Sequence, residues 1–348
     1  MADATLQRLV LKGLMRLPRP VLRGLAGGGV VYVGGRTLDP AFQFLAAQGR
    51  RTPPLESLSP QDARAATTAM VALMGGPLER GVRTAAVEIP GPAGMVPARA
   101  YRPADQDPNA PVVVFAHFGG GVIGGLDTCE AFCSMIAARA RCAVVSVDYR
   151  LAPEHRFPAG LDDVLAAFRW VREHADDFGA PSGQAAIGGD SMGGNFAAVV
   201  CQDLKAAGEP QPAFQLLVYP ATDVASETAS MTTYAHAFPL SRATMDWFMG
   251  HYMGPGDSPA NPRLSPLRAA DLSGLAPAIV VTAGFDPLSD QGEAYARRLK
   301  EAGVKTVFRC FDPLAHGFTA FTGAVPAARD ACLAIADLVR TAAEGDKT

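Results

Sequence analysis

The sequence predicts an α/β fold, a mostly parallel sheet of eight strands with helices on both faces. Two observations carry this. From residue 112 to residue 343, short apolar segments alternate with segments of helical periodicity. Glycine and proline, 36 and 28 of the 348 residues, are scattered without a period, which suits many tight turns.

In chain order, residues 4–36 hold no acid and six bases: Arg8, Lys12, Arg16, Arg19, Arg23 and Arg36. Leu6, Leu11, Leu14, Met15 and Leu17 interleave at roughly helical spacing. A basic amphipathic helix could rest on a membrane surface. The favoured expectation is a helix packed on the protein, because Pro18 and Pro20 cut it short. Residues 37–80 are expected to be helical, with one helix starting at Ser59-Pro60-Gln61-Asp62. Val82–Ile89 and Val96–Tyr101 read as a β-hairpin around Gly91-Pro92.

The alternating part then begins. Strands are expected at Val112–Ala116, Ala143–Val147, Ala185–Ile187, Phe214–Tyr219, Ala278–Ala283 and Thr306–Phe311. Helices are expected near 127–140, 160–177, 192–207, 290–302 and 326–343. Residues 222–270 interrupt the rhythm and carry Met231, Tyr234, Phe238, Met245, Trp247, Phe248, Tyr252 and Met253. A connection that long between two sheet strands is usually functional, often a lid. The expected organisation is an N-terminal helical region (1–80), a core in two parts (81–221 and 271–348), and the insertion 222–270.

Composition narrows the function. The net charge of −3 argues against bulk nucleic-acid binding. The longest uncharged stretch, Pro108–Leu126, holds five glycines and two prolines and is too broken to span a membrane. No secretory signal is recognisable at the N-terminus. The six cysteines form no CxxC pair and mostly lie in apolar runs. Buried free thiols in a reducing cytoplasm are expected, with no metal site and no cofactor.

Gly189-Asp190-Ser191-Met192-Gly193 matches G-x-S-x-G between a strand and a helix, the context of a nucleophile elbow. Side chains at either flanking glycine would clash in so tight a turn, and the helix N-terminus favours developing negative charge. A serine hydroxyl needs a base. His316, in Leu314-Ala315-His316-Gly317-Phe318 just past the last strand, is placed to reach the same sheet edge. The orienting acid should fall between serine and histidine. Asp286 follows strand 278–283 and meets that order, with Asp290 as the rival. His117-Phe118-Gly119-Gly120-Gly121 follows strand 112–116. Its glycines let backbone N–H groups approach a substrate carbonyl, and with the N–H of Met192 they would bind an oxyanion. It lacks the G-x-G-x-x-G pattern and the lysine of phosphate-binding loops.

Together these motifs resemble the hormone-sensitive-lipase-like esterases of the α/β-hydrolase fold. The likeness covers roughly residues 37–343. His117–Gly121 is similar to the family's HGGG motif, Asp148–Glu154 to its DYRLAPE stretch, and Gly189–Gly194 to its GDSAGG elbow. Asp286-Pro287-Leu288 and His316-Gly317-Phe318 resemble its DPL and HGF segments. The resemblance implies carboxylic-ester hydrolysis without a cofactor, usually on short acyl chains, and the substrates expected here are short- to medium-chain acyl esters. It also implies a cap built from the N-terminal helices and residues 222–270, and a homodimer. Phe118 replaces the first glycine of HGGG, and Gly121 stands where the family usually has an aromatic residue. The family register makes Gly119 and Gly120 the donors; a shift by one makes them Gly120 and Gly121. Met192 replaces the usual alanine. Phe118, Gly121, Phe238 and Phe318 are the expected pocket residues. Arg150 and Glu154 are expected to pair beneath the site loops. An amidase or peptidase with the same triad, and a non-catalytic ligand receptor on the same fold, are the alternatives.

Overall fold

The computed structural model describes residues 10, 11 and 13–345. Its main sheet has eight strands: β3 (Val82–Gly91), β4 (Gly94–Pro103), β5 (Val112–Ala116), β6 (Val144–Val147), β7 (Ala185–Asp190), β8 (Gln215–Val218), β9 (Ala278–Phe285) and β10 (Thr306–Ala315). They lie in the order β10-β9-β8-β7-β5-β6-β4-β3. From β5 to β10 every pairing is parallel, and β4 runs antiparallel to both β3 and β6. The continuous apolar run of β5 has its explanation here. Val112, Val114 and Ala116 enter one core, and Val113 and Phe115 enter the other. A strand covered on both faces has no polar side to show.

Helices α4 (Leu126–Ala140) and α10 (Pro326–Glu344) cover one face. Helices α5 (Ala159–Glu173), α6 (Met192–Ala206) and α9 (Ser289–Glu301) cover the other. β5 pairs with β6 on one side and β7 on the other, so the strand order reverses between β5 and β7. Such a reversal opens a crevice at the carboxyl ends of the strands. The loop after β5 and the turn after β7 meet there.

The N-terminal part differs from a single amphipathic helix. Residues 10, 11, 13 and 14 are helical, the chain turns, and a separate helix α1 (Arg19–Leu25) follows. Pro20 lies in its first turn, where a missing N–H costs nothing. Met15 and Leu22 are buried, while Leu17, Val21 and Leu25 are exposed. Leu6, Arg8 and Lys12 fall outside the described residues. A two-stranded ribbon, β1 (Tyr32–Val33) and β2 (Arg36–Thr37), has no counterpart in the sequence reading. Helices α2 (Pro40–Gly49) and α3 (Pro60–Met74) follow, with Ser59 capping α3 by accepting from the Asp62 N–H at 3.1 Å.

The stretch 222–270 contains α7 (Ala229–Thr233) and α8 (Arg242–Tyr252). Both have serine or threonine N-caps, Thr228 and Ser241. Among the described residues no helix is long and apolar enough to cross a membrane.

Candidate active site

Ser191 sits between β7 and α6 with φ 57° and ψ −115°, a sparsely populated conformation for a side-chain-bearing residue. The flanking glycines make this turn feasible. A Cβ on Gly189 would lie 2.3 Å from the Gly193 backbone, and one on Gly193 would lie 2.0 Å from the Ala116 carbonyl oxygen. Asn195, one helical turn on, donates to the carbonyls of Ala221 and Leu264 at 2.7 and 2.8 Å and anchors the helix start.

The structure brings the three distant candidates together. Ser191 Oγ lies 3.0 Å from His316 Nε2. His316 Nδ1 lies 2.8 Å from Asp286 Oδ2. Asp286 is fully buried, and its other oxygen accepts from the Leu288 N–H at 2.8 Å. Its orientation is therefore fixed from both ends. Asp290 turns elsewhere, accepting from the Ser230 N–H at 2.8 Å.

The loop after β5 faces Ser191. Gly119, Gly120 and Met192 border the same cavity as Ser191 and His316. Gly121 does not. The loop is held from below and from the side. His117 is buried, its Nδ1 lies 2.7 Å from the Phe118 carbonyl oxygen, and its ring stacks on Tyr149 at 4.1 Å. Burial holds its pKa down to about 4, so it is neutral at pH 7. The Tyr149 hydroxyl donates to the His117 carbonyl at 2.8 Å. The Ala152 N–H donates to the Gly121 carbonyl at 2.8 Å.

Arg64 on α3 is a partner the sequence reading missed. Its guanidinium donates to the carbonyls of Val122 and Ala152, both at 2.8 Å, and to Glu154. The expected Arg150–Glu154 pair is thereby corrected. Glu154 binds Arg64, and Arg150 binds Asp163 through two 2.8 Å hydrogen bonds. Asp163 is fully buried. A buried carboxylate requires a partner, whereas half-exposed Glu154 can take whichever cation comes near.

The cavity holds about 180 Å³. Its wall is mainly apolar, with Leu55 and Met70 from the N-terminal part and Met231, Leu240, Met245, Phe248 and Met249 from the insertion. Asp223, Glu227, Arg242 and Asp246 add charge to the lining. Of the four expected pocket residues only Phe118 lines it. Gly121 is covered by the Tyr252 ring. Phe238 packs against Gly49 and Phe321. Phe318 is fully buried between Tyr219 and Phe311. Aromatic type and position in the chain gave no means of telling a pocket wall from a core contact.

A strained serine, a histidine and a buried aspartate in one hydrogen-bonded line at the strand-order reversal have the arrangement of a hydrolase-type site on an α/β sheet. A family model described as alpha/beta hydrolase fold matches residues 113–320, and the chain belongs to that family, in its hormone-sensitive-lipase-like branch. The carboxylic ester hydrolase LipN of Mycobacterium tuberculosis is 44% identical over 326 residues, covering 91% of this chain and 86% of LipN. The ethyl acetate hydrolase of Pseudomonas putida is 38% identical over 64% of this chain and 71% of its own. A crystal structure of an α/β hydrolase enzyme from the metagenome of Lake Arreo, as a serine-to-alanine mutant, superposes with a TM-score of 0.84 at 42% identity. That match covers 87% of this chain and 98% of the other. A thermostable esterase from Pseudomonas putida has a TM-score of 0.83 at 34% identity, covering 88% and 98%.

Proposed function

We propose that the chain is a serine carboxylesterase that hydrolyses short- to medium-chain acyl esters through an acyl-enzyme. The observation that carries this is the continuous hydrogen-bonded line from Ser191 through His316 to Asp286, opening on a mainly apolar cavity. His316 Nε2 takes the Ser191 proton as Oγ attacks the ester carbonyl, and Nδ1–H donates to Asp286, which stabilises the imidazolium. The N–H groups of Gly119, Gly120 and Met192 receive the oxyanion. His316 then protonates the leaving alcohol, and water, activated by the same base, frees the acid.

Relatives named for ester hydrolysis support the ester over the amide, and the intact line of three residues argues against a receptor. Helix α3, with Leu55 ahead of it, and the insertion 222–270 form the cap, since both line the cavity. Every proposed catalytic group comes from one chain. Five of the six free cysteines are buried, which suits a reducing cytoplasm.

The test is hydrolysis of p-nitrophenyl acetate, butyrate, octanoate and palmitate by the wild type and Ser191→Ala. Turnover of the shorter esters, abolished by the substitution, is expected. Turnover that survives Ser191→Ala, or a preference for an anilide over the matching ester, would overturn the reading.

A further inference from the structure

The helix α8 does more than roof the cavity. Phe248 and Tyr252, one helical turn apart, both face the loop after β5. A Cβ on Gly120 would lie 2.3 Å from Phe248 Cγ, and one on Gly121 would lie 2.6 Å from Tyr252 Cδ2. Both glycines have left-handed φ, 63° and 73°. The two rings therefore rest directly on bare backbone, in the space that side chains at 120 and 121 would otherwise take.

Tyr252 is the more revealing of the two. It is 1% exposed and does not line the cavity, so it has no route to substrate. Its ring packs on Phe157 and Phe196, with centroids at 5.9 and 6.2 Å. Phe196 packs on Tyr149, and Tyr149 stacks on His117 at the start of the same loop. The Phe157 N–H donates to the Tyr252 carbonyl at 2.9 Å, fixing the end of the helix. The Tyr252 hydroxyl is buried and has no hydrogen-bond partner among the described residues. What the residue supplies is thus ring surface, not a hydrogen bond.

A glycine run with positive φ is free to change conformation unless something holds it. The backbone bonds to Gly119 and Gly121 restrain the loop from one side. The pair of rings restrains it from the other. We propose that Phe248 and Tyr252 are positioning residues that hold the Gly119 and Gly120 amides in register with Ser191. The insertion then forms part of the oxyanion site and is not only a cover. The space that a side chain at Gly121 would take is filled by the ring of Tyr252, from more than a hundred residues away. This inference rests on the esterase reading for its kinetic consequence but not for its structural one.

The experiment compares Tyr252→Leu, Tyr252→Phe and Phe248→Leu with wild type. Hydrolysis of p-nitrophenyl butyrate is read as kcat and KM, and amide hydrogen exchange is read on the peptide 117–125. Tyr252→Leu is expected to lower kcat about 10- to 100-fold, with KM changed less than about threefold, because a misplaced donor acts only in the transition state. Exchange in the peptide 117–125 should rise in the same variant. Tyr252→Phe, which keeps the ring, should match wild type in both. Phe248→Leu should move exchange in the same direction, and it decides the matter if Tyr252→Leu does not fold. Wild-type kcat and exchange in Tyr252→Leu, or a rise in KM alone, would overturn the proposal. If the wild type hydrolysed no ester, the esterase reading would fall, and the exchange data would still support or overturn the positioning.

Discussion

The carboxylate of Asp190 accepts a hydrogen bond from the Thr319 hydroxyl at 2.8 Å, and so ties the turn that carries Ser191 to the loop that carries His316. The same oxygen accepts from the Tyr219 hydroxyl at 2.9 Å. The Tyr219 ring lies against His316, with centroids 4.7 Å apart. The relative placement of Ser191 and His316, the proposed nucleophile and base, is thus tied to a buried acid that belongs to the elbow motif and takes no part in the proposed proton transfers.

Burial pushes the Asp190 pKa up to about 6, against 3.8 for the free side chain. The folded state therefore binds this proton more tightly than the unfolded state. Its contribution to stability is greatest below the unfolded value and is lost as pH rises from about 4 to about 6, by on the order of 3 kcal/mol. Asp190→Asn removes that loss. Thermal melts across pH 4.5 to 7.5 should show the variant gaining on wild type as pH rises. A difference in Tm that stays constant with pH would contradict this.

His117 behaves in the opposite sense. Its pKa lies near 4 in the folded state, below the ordinary imidazole value of 6.5, because the buried ring resists charge. The stability it lends is full above about 6.5 and is lost as pH falls towards about 4. His117→Phe keeps a ring against Tyr149 and cannot ionise. The variant should lose less stability than wild type between pH 7 and pH 4.5, measured by urea denaturation.

Arg150 is expected to matter for folding and not for hydrolysis. Arg150→Met leaves Asp163 with a buried, unpaired charge, which costs about 3 to 5 kcal/mol. Glu154→Gln breaks only the part-exposed pair with Arg64 and should cost less than about 1 kcal/mol. Chemical denaturation of the two variants separates them. Equal losses would mean that the Asp163 site relaxes or hydrates in solution.

Asp286→Asn should lower kcat by about 10⁴-fold, as expected when the orienting acid no longer fixes the imidazole tautomer. Asp290→Asn should remain within about tenfold of wild type, since Asp290 holds Ser230 and not His316. Steady-state rates on one short ester decide between them. Comparable losses in both variants would remove the distinction drawn here between the two acids.

Met192 offers a test of the acyl pocket. It is 2% exposed, lines the cavity beside Ser191, and its side chain is not needed for its backbone N–H to donate. Met192→Ala should raise the ratio of octanoate to butyrate turnover by about tenfold. An unchanged ratio would place the acyl chain on another side of the cavity.

The sequence by itself determined the order of elements and the three distant residues that meet at the site. These depend on local signals: apolar runs, helical periodicity, and two glycines that only a sharp turn requires. Strand-ending positions then placed Ser191, Asp286 and His316 at one sheet edge, because parallel strands point their carboxyl ends the same way. Tertiary structure decided the rest. Arg64 reaches Glu154 across ninety residues, Arg150 reaches Asp163 and not Glu154, and Tyr252 covers Gly121. Phe238 wedges against Gly49 and leaves the cavity to Phe118. Each of these depends on which surfaces two remote segments present to one another once the sheet is covered. That is a matter of shape and burial, and no short stretch of chain encodes it.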